Sequence, residues 1–409
     1  MGNYGKGDTA WFTHDRFGMF IHWGLYSMPA RHEWIRHTEE ISDGDYRIYF
    51  DLFDPDLFDP KAWARAAREA GMKYFVITTK HHEGFCLWDT KYTDYKVTNT
   101  PAGRDLLREV VDAFRAEGIR VGFYYSLIDW WREDAPRGRT GLGTGRPAEK
   151  EDADAYFDFM KAQLTELLTQ YGNVGAIWFD GIWDQDENPG FDWRLGELYG
   201  LIHKLQPGCL IINNHHLAPF EGEDAQAFER DLPGENTAGY SGQEISRLPL
   251  ETCQTMNGMW GYKITDKNYK SAQTLVRYLA GAAGRGANLL LNIGPQPDGA
   301  LPAAALERLD SMGRWLRANG ETIYGTQAGP VSPRSWGVTT RRGDKIYVHI
   351  LDWPDEELFV PVRDERIRRA VRFADKRAVA FSQDKAGVTL RLGEKPAGAD
   401  CIVELTVGQ

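Results

Sequence analysis

The chain has 409 residues, of which 42% are hydrophobic and 26% are charged, and its formal net charge is -11. This length and composition are typical of a soluble globular protein with one barrel-sized domain and a smaller one. The negative charge argues against a nucleic-acid partner, because such a partner requires a basic face.

The four cysteines, Cys86, Cys209, Cys253 and Cys401, form no CxxC motif and no pairing pattern. We therefore expect reduced thiols rather than a disulfide framework or a zinc site. No uninterrupted apolar run approaches the roughly 18 residues of a membrane span, and the first eight residues lack the apolar core of a signal peptide. The sequence thus predicts a cytoplasmic protein with no membrane partner.

Short apolar runs that end in polar residues recur between residues 17 and 294. Such runs are typical of parallel strands that are buried on both faces. Six of them are clear, and a seventh is expected near 250–255. The six lie at 18–22, 74–79, 121–125, 176–180, 210–213 and 288–292.

Helical patterns alternate with these runs, and several begin or end at good capping residues. They are expected at 60–70, 104–117, 152–171, 193–205, 271–283 and 304–318. Alternation over nearly 300 residues predicts a (β/α)8-like TIM barrel, whose active site forms at the C-terminal ends of its strands. A doubly wound open sheet is disfavoured because Ile21-His22-Trp23-Gly24 does not match the GxGxxG phosphate loop.

After residue 320 the periodicity changes to short strand-like runs separated by turn residues. The runs lie at 345–351, 358–362, 378–382, 388–392 and 401–407. They predict a small C-terminal antiparallel β-sandwich. We place the domain boundary so that residues 1–330 form the catalytic barrel and residues 331–409 form the sandwich.

Histidines end two of the predicted strands: His22 ends the first, and His81 and His82 end the second. Imidazole nitrogens suit either a metal ion or the hydroxyl groups of a sugar. The chain has no HxH or HExxH pair, and Trp and Tyr surround these histidines, which favours a sugar. We therefore predict no metal and no cofactor, and a metal-dependent TIM-barrel hydrolase stays as the alternative.

Asp180 is a lone carboxylate at the end of the apolar run 176–179, a position suited to a nucleophile or an electrostatic base. If the substrate is a sugar, a second carboxyl must protonate the leaving oxygen. The acid-rich segment 221–236, predicted as a loop, and Glu251, predicted on a strand, are the two sources that the sequence offers.

An ordered set of motifs over about residues 10–330 resembles the α-L-fucosidases of glycoside hydrolase family 29. The matching segments are 11–12, 17–24, 33–34, 80–85, 124–126, 178–181, 251–253, 259–262 and 288–295. The resemblance implies an exo-acting, retaining hydrolase that removes terminal α-L-fucose from a fucosylated oligosaccharide or glycoconjugate by double displacement. A non-catalytic fucose-binding protein stays as a further alternative, and self-association into a homo-oligomer is left open.

The resemblance also implies roles for individual residues. Asp180 would be the nucleophile and Glu229 the acid/base, with Glu251 and then Glu235 as alternatives for the second role. His215 falls where some members carry Asn-Asp-Arg, and we count it among the sugar-binding residues. The remaining predicted sugar-binding residues are His22, Glu33, Trp34, His81, His82, Tyr124, Trp178 and Trp260.

Overall fold

A computed structural model describes residues 7–353, 355–393 and 398–408. Eight parallel strands close into a barrel in which each strand pairs with the next along the chain and the last pairs with the first. The strands are β1 (Phe17–Ile21), β2 (Tyr74–Lys80), β3 (Arg120–Ser126), β4 (Ala176–Asp180), β5 (Leu210–Asn214), β6 (Ala225–Glu229), β7 (Leu250–Thr255) and β8 (Ala287–Ile293). The predicted TIM barrel is therefore confirmed.

Helices precede and separate the strands. They are α1 (Ala10–Asp15), α2 (Ile35–Thr38), α3 (Asp43–Asp51), α4 (Pro60–Glu69), α5 (Leu106–Ala116), α6 (Ala153–Gln170), α7 (Leu195–Leu205), α8 (Ala272–Gly284) and α9 (Ala303–Asn319). Several begin where a side chain accepts a hydrogen bond from the first turn. Asp59, Asp105, Asp152 and Ser271 do so for α4, α5, α6 and α8. Such caps satisfy N–H groups that lack a partner within the helix.

The barrel strands are almost entirely buried because side chains fill the barrel interior and helices cover its outer face. Parallel pairing brings the C-terminal strand ends to one level. Asp180 at the end of β4 lies between Ser126 on β3 and Asn214 on β5, and Glu229 at the end of β6 pairs with Cys253 on β7. This register gathers polar residues from distant parts of the sequence at one mouth of the barrel.

The C-terminal part contains two antiparallel sheets with a shared apolar core. Their strands are β9 (Gln327–Ala328), β10 (Gly337–Arg342), β11 (Lys345–Ile350), β12 (Glu357–Val360), β13 (Ile367–Arg372), β14 (Ala380–Gln383), β15 (Val388–Arg391) and β16 (Cys401–Val407). Val348 and Val403 from the larger sheet pack in the same core as Leu358 and Leu390 from the smaller one. The predicted β-sandwich is confirmed, and the domain boundary placed after residue 330 falls just beyond its edge strand β9.

Several elements were not predicted from the sequence, among them helices α1, α2 and α3 and the short strand β9. The segment that carries Glu229, predicted as a loop, contains the sixth barrel strand, and β10 and β13 of the sandwich were also missed. The β6 sequence Ala-Gln-Ala-Phe-Glu lacks β-branched residues, so its strand conformation comes from pairing with β5 and β7 rather than from local preference. Among the described residues, no helix is long and apolar enough to cross a membrane.

Candidate active site

A cavity of about 480 Å³ opens at the C-terminal mouth of the barrel. Aromatic rings, histidines and three carboxyl groups make up most of its wall. The lining residues are Phe20, His22, His32, Glu33, Trp34, His81, His82, Tyr124, Arg139, Trp178, Asp180, Trp183, Asn214, His216, Glu229, Arg230, Tyr240, Cys253, Met259 and Trp260. Every sugar-binding residue predicted from the sequence is among them except His215.

Asp180 is the last residue of β4, and hydrogen bonds hold its carboxylate at the cavity wall. The Tyr124 hydroxyl donates to Oδ2 at 3.0 Å and the Trp183 indole N–H donates to Oδ1 at 3.1 Å. Gly181 follows with a φ of 103°, and a side chain there would collide with Ile128. Glycine thus allows the chain to turn away directly behind the carboxylate.

Glu229 faces the same cavity from the end of β6. Its Oε2 accepts a hydrogen bond of 2.8 Å from the Asn214 amide nitrogen, which also lies 3.5 Å from Oδ1 of Asp180. The Oδ1 and Oε2 atoms are therefore closer together than the roughly 6.5 Å at which the carboxyl separations of inverting glycosidases begin. This spacing fits a retaining enzyme, in which one carboxyl attacks and the other exchanges a proton.

The charges of the two carboxyl groups depend on each other. Burial, and then the nearby charge of Glu229, raise the pKa of Asp180 to about 6. Burial alone would also raise the pKa of Glu229. The hydrogen bond and charge of His216 outweigh the effect of burial, with smaller contributions from Asn214 and Arg230, so the pKa of Glu229 is lowered. In the free site Glu229 is accordingly the more readily ionised of the two.

Three of the four predicted sugar-binding histidines line the cavity, and their rings are buried and neutral. Burial lowers the pKa of His22 to about 3 and lowers those of His81 and His82 well below the usual range. Neutral imidazole can donate one hydrogen bond and accept another, which suits hydroxyl groups.

Local hydrogen bonds orient two of these rings. Nδ1 of His22 lies 2.6 Å from Oδ1 of Asn292, and Nδ1 of His82 lies 2.7 Å from the Ser126 hydroxyl. Nε2 of His82 lies 3.6 Å from Oδ2 of Asp180. The buried Nδ1 of His81 has no hydrogen-bond partner in the described part of the chain. A bound sugar hydroxyl would supply that partner and remove the free-energy cost of an unsatisfied buried polar atom.

Aromatic and acidic residues lie beside these histidines. The Trp260 ring lies 5.3 Å from the His22 ring and 5.9 Å from the Phe20 ring, which gives the cavity an apolar surface. The carboxylate of Glu33 accepts a hydrogen bond of 2.8 Å from the Gly261 N–H and so ties down the segment that carries Trp260. Trp34 stacks on Trp183 at 5.6 Å.

Glu251 and Glu235, the alternative acid/base residues, lie outside the cavity. Glu251 is fully buried inside the barrel, where it accepts hydrogen bonds from the Tyr74 hydroxyl at 2.5 Å and the Trp178 indole N–H at 3.0 Å. Glu235 pairs with Arg285 at 2.6 Å. Glu251 therefore holds Trp178 in place from within the barrel, while Glu229 faces the cavity.

The two adjacent histidines after β5 point to different surroundings. His215 is buried and its Nε2 lies 3.0 Å from Glu223, away from the cavity. His216 lines the cavity, with its Nε2 3.0 Å from Oε2 of Glu229. The prediction that His215 binds the sugar is therefore wrong, because His216 and not His215 lines the cavity.

Other residues of the site carried no distinct signal in the sequence. Asn214 and Trp183 were not predicted, although Asn214 ends β5 and Trp183 lies in the loop behind β4. Its position at a strand end was the signal that could have found Asn214. The sequence did indicate Arg230 as a neighbour that could hold a glutamate ionised, and Arg230 does lower the pKa of Glu229. Among the described residues, no group of three or more His, Cys, Asp or Glu side chains is arranged to hold a metal ion.

A (β/α)8 barrel with two closely spaced carboxyl groups in a ring-lined cavity at its mouth has the architecture of a retaining glycoside hydrolase. Comparison with known proteins narrows this class. The sequence profile of the α-L-fucosidase family matches residues 6–321. The chain therefore belongs to the α-L-fucosidase family, and the resemblance seen in the sequence motifs is confirmed.

Individual relatives agree with this assignment. The α-L-fucosidase of Branchiostoma floridae is 30% identical over 85% of this chain and 79% of its own length, and the human plasma α-L-fucosidase is 30% identical over 84% and 76%. The structure of α-L-fucosidase isoenzyme 1 from Paenibacillus thiaminolyticus is 42% identical, with a TM-score of 0.87 over 98% of this chain and 99% of that one.

A relative from Bacteroides thetaiotaomicron bears on the mechanism. It is a family 29 α-L-fucosidase whose structure contains a trapped covalent intermediate in complex with 2-fluoro-fucosyl fluoride. Its sequence is 27% identical, and its TM-score is 0.86 over 100% of this chain and 98% of that one. A covalent intermediate is the mark of a retaining mechanism, and neither a metal-dependent hydrolase nor a non-catalytic binding protein is favoured by these relatives.

Proposed function

We propose that this retaining α-L-fucosidase uses Asp180 as its nucleophile and Glu229 as its acid/base in the hydrolysis of terminal α-L-fucose. The observation that carries the assignment is the Asn214 amide nitrogen, which contacts one oxygen of each carboxyl. The two groups face one cavity at a spacing that suits double displacement. The substrates are fucosylated glycans.

In the first step the Asp180 carboxylate attacks the anomeric carbon and the bond from that carbon to the leaving oxygen breaks. Glu229 gives its proton to the leaving oxygen. In the second step Glu229 removes a proton from water, whose oxygen displaces Asp180 from the anomeric carbon. Tyr124 and Trp183 stabilise Asp180 as an anion at the start and at the end of this cycle.

The fucose ring is held by complementary polar and apolar contacts. His22, His81 and His82 present neutral ring nitrogens to the sugar hydroxyls, and the unpartnered Nδ1 of His81 gains the most from such a bond. Trp260 provides an apolar face for the C5 methyl group. A location in the cytoplasm stays a prediction, and self-association stays open.

Azide rescue tests the nucleophile. Asp180→Ala should reduce turnover of an aryl α-L-fucoside by several orders of magnitude, as expected when a covalent nucleophile is removed. Added azide should restore turnover and give β-fucosyl azide, because the small anion attacks from the face that Asp180 occupied. An azide of the α configuration, or a wild-type enzyme that releases β-fucose as its first product, would contradict the assignment.

A further inference from the structure

His216 and Glu229 form a close pair at the edge of the cavity. Nε2 of His216 lies 3.0 Å from Oε2 of Glu229, the same oxygen that accepts the Asn214 hydrogen bond. The other carboxylate oxygen, Oε1, lies 4.0 Å from Nε of Arg230. One oxygen of the predicted acid/base is therefore held between a histidine and an amide.

The backbone holds His216 in an uncommon conformation. Its φ is 62°, in the left-handed region that residues other than glycine seldom adopt. The side chain is 23% exposed, and its ring packs 5.6 Å from that of Tyr240. A strained backbone of this kind persists where the surroundings fix it, often at functional sites. The ring thus reaches both Glu229 and solvent.

Charged groups from three elements face His216. Asp180 at the end of β4, Asp186 in the loop behind it and Glu229 at the end of β6 each favour a protonated His216 ring. Burial opposes this, but the hydrogen bond and charge of Glu229 outweigh it and raise the pKa of His216. Arg230 acts on the other side of Glu229 and favours its ionised form.

The free pair therefore keeps its proton on the histidine, whereas the first chemical step needs a proton on the carboxyl. The pair can hold one proton in two ways: on His216 beside a Glu229 carboxylate, or on Glu229 beside a neutral His216. Both forms have the same total charge. They interconvert by a short proton shift because the two side chains lie at hydrogen-bond distance. A proton on this pair is thus available to Glu229 at a pH where an isolated glutamate would have lost it.

We propose that His216 is a positioning residue that shares the acid/base proton with Glu229. The inference rests on the proposed role of Glu229. As Asp180 attacks and the glycosidic C–O bond breaks, the shared proton passes through Glu229 to the leaving oxygen, which leaves a neutral histidine beside a carboxylate. When water displaces Asp180, its proton returns to Glu229 and is shared again.

The test is the pH dependence of kcat/KM for a fucoside with a poor leaving group, such as a fucosyl disaccharide. His216→Gln should move the alkaline limb to lower pH by about one unit or more, because Glu229 alone loses its proton nearer to an ordinary carboxyl pKa. An activated aryl fucoside should lose far less activity. A lower rate with an unmoved alkaline limb means a structural role only and overturns the proposal.

His215→Gln is the matched control, since His215 precedes His216 but faces Glu223 outside the cavity. Its alkaline limb should stay in place, and the melting temperature of each variant reports any loss of folding. If His216→Gln does not fold, titration of His216 by NMR in the full-length wild type and in Glu229→Gln provides the second measurement. The His216 pKa should fall by about one unit or more without the glutamate charge, and an unchanged value overturns the proposal.

The same experiments separate the two assignments. If Glu229→Ala slows good and poor leaving groups equally, the proposed role of Glu229 fails and the shared proton fails with it. If Glu229→Ala shows the expected dependence on leaving group while His216→Gln leaves the alkaline limb in place, only the shared proton fails.

Discussion

Tyr124 donates a hydrogen bond of 3.0 Å to Oδ2 of Asp180, from one barrel strand to the end of the next. Both residues line the cavity, and the phenol favours the ionised carboxylate over the protonated one. The charge state of Asp180, the proposed nucleophile, is thus set partly by a hydroxyl on the neighbouring strand.

Removal of this hydroxyl should weaken the nucleophile. With the bond in place the pKa of Asp180 is about 6, so kcat/KM should fall as the pH drops through that value and Asp180 takes up a proton. Tyr124→Phe should lower kcat/KM by about 10- to 100-fold, as for the loss of a hydrogen bond to a charged group, and move the acid limb to higher pH.

Tyr125→Phe is the control for Tyr124→Phe. The Tyr125 hydroxyl lies on the next position of the same strand and donates to Gln163 at 2.8 Å, away from the cavity. The acid limb of this variant should match that of the wild type. A Tyr124→Phe enzyme with an unchanged acid limb would show that the hydroxyl does not control the protonation of Asp180.

Loss of the acid/base should depend on the leaving group. Glu229→Ala should reduce kcat/KM by about 10²- to 10⁴-fold on fucosides with poor leaving groups, the range that general acid catalysis contributes. Substrates with activated phenol leaving groups need no proton and should lose much less. A plot of rate against leaving-group pKa for both enzymes measures the difference in slope.

Substitution of Glu251, unlike that of Glu229, should have an effect that does not depend on the leaving group. Its carboxylate is buried and bonded to Tyr74 and Trp178, and burial raises its pKa to about 7. Glu251→Gln should reduce activity by a similar factor on good and poor leaving groups, because it disturbs the support of Trp178 rather than a proton transfer. A strong dependence on the leaving group would return Glu251 to the role of acid/base.

The ionised Asp180 carboxylate should reduce the stability of the folded protein at a pH above its own pKa. The pKa of Asp180 is about 6 when folded and has a reference value of 3.8, so protonated Asp180 stabilises the fold below pH 3.8 and this contribution is lost as the pH rises through 6. Asp180→Asn should therefore raise the free energy of unfolding by roughly 3 kcal/mol at most at pH 8, and by little at pH 4.

Denaturant unfolding of both proteins at the two pH values checks this expectation. A gain for Asp180→Asn that is no larger at pH 8 than at pH 4 would contradict the argument.

Trp260 should govern the choice between sugars that differ at C5. Trp260→Ala should lower the ratio of kcat/KM for an α-L-fucoside to that for the matching α-L-galactoside, which carries a hydroxymethyl group there. The expected fall is about 10- to 100-fold, since an apolar pocket discriminates by up to about this factor against a substrate that only adds a hydroxyl group. Trp260→Phe keeps an apolar ring and should retain most of the preference.

Much of the barrel could be predicted because its signals are local. Apolar runs such as 74–79 and 176–180 match the observed strands to within a residue, since a strand buried on both faces must be apolar throughout. Asp180 was found for the same reason, because a carboxylate at the end of such a run stands out.

The second carboxyl was harder to place than the first. Glu229 ends a strand of five residues whose small and polar side chains resemble a loop, and only pairing with β5 and β7 makes it a strand. The family resemblance indicated Glu229, but local pattern alone left it beside Glu235 and Glu251 as one acid among several.

The sequence by itself thus determined the barrel, the sandwich, the family and a strand-end aspartate, because these depend on periodicity and on ordered motifs. Only the tertiary structure decided that His216 rather than His215 meets Glu229, and that Glu251 faces inward to Trp178. The backbone turn after β5 and the pairing of the barrel strands decide which of two adjacent side chains enters the cavity. Neighbouring residues alone do not determine that turn or that pairing.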